Sequence, residues 1–275
     1  MGSFPRFASS HPVLHTPCIW HPDPGVPRDG HAVVLMRRVF NLTADLPRLD
    51  LYVTASLYFD GQVISRGPSR SDPQRWGVRH VKLGKVRKGR HVLAATVIHR
   101  GSSSGIGQLG GPGFFLLHAE AGKTDLRPLI NTGWRCWHDE SRTPLPKHAW
   151  EKAPYFVVGA GERLDAARHP WDWQTPGFDD SAWPGAKIVC QKICDEWGNV
   201  PTGHLLRPDP LPEMEESEQQ MSRVADATDG YLKPAEAWLK GTQPLTIPAN
   251  SEVRLLLDRG QLTNAYPHLV VSGGA

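Results

Sequence analysis

Residues 51–101 constrain this chain more than any other stretch, because a two-residue turn signal lies among alternating apolar residues. Leu49, Leu51, Val53 and Ala55 alternate with polar or smaller neighbours, the period of a strand that buries one face. Asp60-Gly61 tolerates positive φ at both central positions of a tight turn, and Val63 and Ile64 then restart the apolar run. The pattern predicts a β-hairpin. Residues 67–76, GPSRSDPQRW, carry two prolines and no apolar period, so they are expected to leave the sheet as an ordered loop anchored by Trp76. A strand returns at His91 to Ile98, with Val92, Ala94, Thr96 and Ile98 on one face. Such an arrangement is that of a sandwich core with one long loop.

Further strand patterns lie at Val33 to Phe40, at Phe114 to Glu120, at Asn131 to Trp137, where Trp134 and Cys136 alternate with Arg135 and Trp137, at Ala186 to Cys190 and at Glu252 to Asp258. His268 to Ala275 begins another, while Val224 to Lys240 is ambiguous. With 275 residues the chain can hold one large or two ordinary domains, and its 25 prolines and 27 glycines suit a turn-rich β protein. The expected fold class is all-β: a jelly-roll-like antiparallel β-sandwich followed by the start of a second, incomplete β domain. Residues 1–17 read as an irregular N-terminal arm, 18–200 as the sandwich, 201–220 as a Pro-rich and acidic linker, and 221–275 as a truncated second β domain. Truncation is expected because so few strands would leave edges and an apolar face uncovered.

Charge is nearly balanced, 31 Lys and Arg against 28 Asp and Glu, so no global field calls for nucleic acid or an acidic membrane. The basic residues concentrate between Arg66 and Arg100, where Asp72 is the lone acid. That run reads either as a solvated face offset by acids elsewhere or as a surface for an anionic polysaccharide. Nothing approaches a membrane span, and the N-terminus has no apolar run suited to export, so a cytoplasmic location is the default expectation. The four cysteines, Cys18, Cys136, Cys190 and Cys194, are too few to be a disulfide framework in a chain of this length. Cys190 and Cys194 have no second pair at zinc spacing, and Cys136 with His138 supplies two ligands where a metal needs more. No cofactor and no metal is expected. The glycine-serine loop at Gly101 to Gly113 lacks the G-x-x-x-x-G-K of a phosphate cradle.

Several segments resemble one family. FDGQVISRGPSRSDPQRW resembles the N-terminal β-sandwich of bacterial α-L-rhamnosidases, glycoside hydrolase family 78, and so do NTGWRCW at Asn131 to Trp137 and GERLDAAR with PGFDDSAW between Gly161 and Trp183. LLRPDPLPEMEE, Leu205 to Glu216, is similar to the linker after the family's first domain, and LLLDRGQLTNAYPHLVVSGG, Leu255 to Gly274, also looks like the family. The resemblance implies the N-terminal part of a large modular hydrolase, with an inverting carboxylate pair on a downstream (α/α)6 catalytic domain and a rhamnose-containing glycan as substrate.

That chemistry is not legible in this chain. Inversion needs two carboxyl groups roughly 6.5 to 9.5 Å apart, and the acidic neighbours Asp139-Glu140, Asp179-Asp180 and Glu215-Glu216 are adjacent in sequence, so on a strand they would face opposite ways. Asp179, Asp180 and Ser181 read as turn or cap residues bracketed by Phe178 and Trp183. Cys136 with His138 is a conceivable nucleophile and base that lacks a third orienting group. No catalytic residue is assigned. The ten tryptophans are either core fillers or flat platforms for sugar C–H groups. The candidate carbohydrate-binding residues are Arg70, Asp72, Trp76, Trp171 and Trp173. The expected function is noncatalytic support of the catalytic barrel with glycan contact; a stand-alone carbohydrate-binding module, or an anionic-polysaccharide module using residues 66–100, are the alternatives.

Overall fold

The computed structural model describes residues 6–69, 75–105, 111–122, 126–146, 160–193 and 205–273. The chain forms two compact units, Met1–Glu213 and Met214–Ala275. It is mainly β, and among the described residues no helix is long and apolar enough to cross a membrane.

The first unit is a sandwich. Its five-stranded sheet is built from β2 (Ala32–Leu42), β4 (Ser56–Phe59), β5 (Gln62–Ser65), β7 (Gly89–His99) and β9 (Arg135–His138), in the order β5-β4-β7-β2-β9. The opposing sheet has β3 (Leu49–Val53), β6 (Arg75–Leu83), β8 (Leu117–Glu120) and β13 (Leu205–Pro208), in the order β13-β6-β3-β8. Pairing is antiparallel throughout both sheets except for β13, which runs parallel to β6. Short pairs complete the unit: β1 (Cys18–Trp20) with β12 (Lys187–Cys190), and β10 (Arg142–Pro144) with β11 (Glu162–Leu164).

Asp60 and Gly61 have φ of 49° and 88°, so the turn between β4 and β5 is the one the dipeptide predicts. β2 and β7 pair along their full length from Ala32↔His99 to Leu42↔Gly89, which makes them the spine of the sheet. The strand period of two then divides their residues. Val34 and Met36 on β2, and Leu93, Ala95 and Val97 on β7, meet Leu49, Leu51, Val53, Val81, Leu117 and Ala119 of the opposing sheet in the main core. The face carrying Val92, Ala94, Thr96 and Ile98 is therefore the outer one. Val33 and Leu35 are buried too, against a loop, which is why β2 reads as a continuous apolar run rather than an alternating one.

Trp76 lies inside β6 rather than at the end of a loop, and it packs edge-on against Phe114 with ring centroids 5.3 Å apart. The outer face of the four-stranded sheet is covered by Val13 and Leu14 of a 3-10 turn, Pro12–His15, together with Ile193. β13 gave no strand signal, because Pro208 and Pro210 mask a run of only four residues.

In the second unit, β14 (Arg223–Ala227) pairs antiparallel with β15 (Leu255–Asp258), and α1 (Leu232–Leu239) lies between them in sequence. The ambiguous stretch at 224–240 thus resolves into a strand end and a helix. The strand expected from His268 does not form over residues 268–273, where no partner strand stands beside it among the described residues.

Candidate functional site

The outer face of the five-stranded sheet is covered by residues 165–185, and one buried cation fixes that cover. Arg37 on β2 has no exposed surface; its guanidinium donates to Asp180 Oδ2 at 2.9 Å, to the carbonyls of Trp173 and Thr175 at 2.7 and 2.8 Å, and to that of Phe178 at 3.1 Å. Burial pulls the Arg37 pKa below the usual arginine value, and Asp180 opposes that shift. Arg135, the cross-strand partner of Arg37, donates to the carbonyls of Asp180, Ser181 and Trp183. Asp179 accepts from the Ser181 amide at 2.9 Å, the turn expected of the sequence DDS. Trp173, Trp183 and Phe178 fill the space between the loop and Val33, Leu35 and Ala94.

A second lock sits where β9 ends. Asp139 is 1% exposed and accepts from the Ser141 amide at 3.1 Å and from the Ser141 hydroxyl, while His169 Nδ1 lies 3.0 Å from its other oxygen. Burial pushes the Asp139 carboxyl up, but the hydrogen bonds from His169 and Ser141 more than offset it and hold the group below the usual carboxylate range. Ser141 Oγ is 3.3 Å from the same Nδ1. Carboxylate and hydroxyl therefore share one ring nitrogen, whereas a nucleophilic relay needs them on opposite ones. The cluster holds the loop in position.

Trp171 stands on this lock. Its ring meets His169 edge-on at 4.8 Å, its indole Nε1 donates to the Ala166 carbonyl at 2.8 Å, and 58% of the residue remains exposed. Close by in the chain, Arg168 pairs with Glu140 at 2.9 Å. An indole with an open face takes sugar C–H groups, and charged side chains near it take hydroxyls. Trp137, 39% exposed, ends a stack that continues through Trp183 to Trp173.

The five sequence candidates separate. Trp171 is open to solvent. Trp173, 4% exposed, is core filler with no face to offer a sugar, and half-buried Trp76 belongs to the smaller core on the opposite sheet. Arg70 and Asp72 lie outside the described residues. His169, Asp139, Ser141 and Glu140 were not singled out as a site, because residues 28 to 30 positions apart come together only through the β9–loop packing. Burial pushes the Cys136 thiol up to about 12 and its Sγ faces the Pro184 carbonyl, so it is no nucleophile at neutral pH. In the basic run, Arg79 pairs with Asp209 at 2.6 Å and Lys85 with Asp45 at 2.8 Å, so acids distant in sequence offset part of that charge. Among the described residues no three His, Cys, Asp or Glu side chains stand together to hold a metal ion.

No protein-family model and no curated protein matches this chain. Among solved structures it is similar to the GH78 family rhamnosidase of Bacillus sp. GL1, with a TM-score of 0.62 and 24% identity, covering 77% of this chain and 21% of that one. Similarity to the α-L-rhamnosidase from Dictyoglumus thermophilum has a TM-score of 0.46 and 14% identity, over 78% of this chain and 23% of that one. For the apo lectin of Pleurotus ostreatus the TM-score is 0.43 and the identity 16%, over 72% and 47% of the two chains. At such identities the likeness is one of fold: the chain has the fold of a segment that makes up 21% of a GH78 family rhamnosidase.

Proposed function

We propose that this chain is the noncatalytic β portion of an α-L-rhamnosidase-like glycoside hydrolase, supporting a helical catalytic domain downstream and contacting glycan at the Trp171 surface. The observation that carries the reading is the fold match over 77% of this chain to about a fifth of a GH78 family rhamnosidase, 21% of its length. Local chemistry supports it. Asp139 is committed to Ser141 and His169, Asp179 to the Ser181 amide and Asp180 to Arg37, so these carboxylates hold structure rather than a water for attack. Trp171, propped on His169 and three residues along the chain from Arg168, which pairs with Glu140, is the described indole best placed to meet a sugar ring.

The test has two parts. The chain is assayed for hydrolysis of a chromogenic α-L-rhamnoside, and rhamnose-containing oligosaccharides are titrated into it calorimetrically. No hydrolysis, together with binding that disappears in Trp171→Ala, is the expected result. Turnover by this chain alone overturns the noncatalytic assignment, and binding unaffected by Trp171→Ala removes the glycan surface from it.

A further inference from the structure

Cys18 and Cys190, distant in sequence, are cross-strand partners in the β1–β12 pair. Cα atoms so paired stand roughly 4.5 to 5.5 Å apart in a regular antiparallel ladder, inside the span of roughly 4.4 to 6.8 Å that a disulfide bridges; here the register shifts between Cys18 and Ile19, so the pair sits at an irregularity of the ladder. Both are free thiols. Cys18 is 1% exposed, whereas Cys190 is half-buried and its Sγ donates to the Lys192 carbonyl at 2.9 Å. The two thiols line one cavity of about 210 Å³ together with Arg28, Pro112, Phe114, Val189 and Ile193. Two cysteines and an arginine thus line the same cavity.

We propose that Cys18 and Cys190 form a dithiol site that an anionic low-molecular-weight disulfide, of the glutathione class, oxidises to an intramolecular disulfide. The more accessible Cys190 attacks first, as a thiolate, on one sulfur of the reagent. One reagent thiol leaves, and a mixed disulfide remains on Cys190. Cys18 then attacks the Cys190 sulfur, forming the protein disulfide and releasing the second reagent thiol. The two protein thiol protons end on the two released thiols; the dithiol loses two electrons and the reagent gains them. Burial, and then the nearness of Cys190, pushes the Cys18 thiol up, which makes it the poorer attacker of a free reagent; its own attack is intramolecular, on the Cys190 mixed disulfide beside it. Arg28, whose Nε donates to the Gly113 carbonyl at 2.8 Å, supplies the positive charge that favours an anionic reagent. The product ties β12 to β1 and closes a loop over most of the first unit, so the oxidised chain is the harder to unfold.

The native chain is incubated with oxidised glutathione, then digested without reduction and mapped by mass. A peptide linking Cys18 to Cys190, accompanied by a rise in Tm that dithiothreitol reverses, is expected. Cys194→Ser should give the same linkage. Cys18→Ser should instead keep glutathione on Cys190. Linkage of Cys190 to Cys194, or a lasting glutathione adduct on Cys190 in the unsubstituted chain, overturns the proposal, and so does linkage that appears only in denaturant.

Discussion

Arg37 and Asp180, brought together from opposite ends of the first unit, meet at 2.9 Å with the guanidinium wholly buried. That ion pair is backed by three loop carbonyls on Arg37 and by Arg135, 3.7 Å from the other Asp180 oxygen. Removing one member of a buried pair strands the other and typically costs about 3–5 kcal/mol. Arg37→Met should therefore lower the unfolding free energy by about that amount, and denaturant melts would read it. A loss no larger than a surface substitution gives would mean that the loop is held by its tryptophans alone.

Trp171 and Trp173 are two residues apart and should respond oppositely to truncation. Trp173→Ala empties a buried site and should destabilise by about 3–5 kcal/mol. Trp171→Ala loses one exposed hydrogen bond, worth about 1 kcal/mol, and should leave the melt nearly unchanged while abolishing glycan binding. Equal destabilisation by both would contradict the division between platform and filler.

Asp139 gives a dependence on pH. Its folded pKa is depressed, so the stability it contributes is fully present above the unfolded carboxylate value of about 3.9 and is lost as the pH falls through the lower folded value. Asp50 and Asp209 are depressed likewise. Acid should thus destabilise the chain from about pH 4 downward, and Asp139→Asn should flatten part of that slope. An unchanged slope in the variant would show that the His169 contact does not form in solution.

Two glycines test backbone fit. Gly61, at φ 88°, has only ordinary contacts around a new Cβ, so Gly61→Ala should cost about 1 kcal/mol from the left-handed conformation. Gly101, at φ 51°, would place its Cβ 2.8 Å from the Gly30 carbonyl carbon, an immovable neighbour. Gly101→Ala should be clearly the worse of the two by thermal melt, and the reverse order would refute the close approach of these loops.

Local chemistry made much of the sandwich legible. The Asp60-Gly61 turn, the alternation of Leu49, Leu51 and Val53, and the Asp179–Ser181 cap all depend on residues within a few positions of one another, so neighbours in sequence suffice to specify them. β13 escaped notice because its place is made by β6, not by its own proline-bearing run. The same limit applied to the site. Nothing near Trp171 or Trp173 tells which indole is open; that depends on Arg37 drawing in the Trp173 carbonyl and on His169 propping Trp171 outward. Nor could spacing bring Asp139 to His169, or Cys18 to Cys190, since only sheet pairing and loop packing close those distances. Neighbouring residues set the strand period, the turn and the charge balance, whereas long-range packing sets which charges are buried, which tryptophan faces solvent and which cysteines meet. Burial and partner distance belong to contacts between remote segments, which no local pattern encodes.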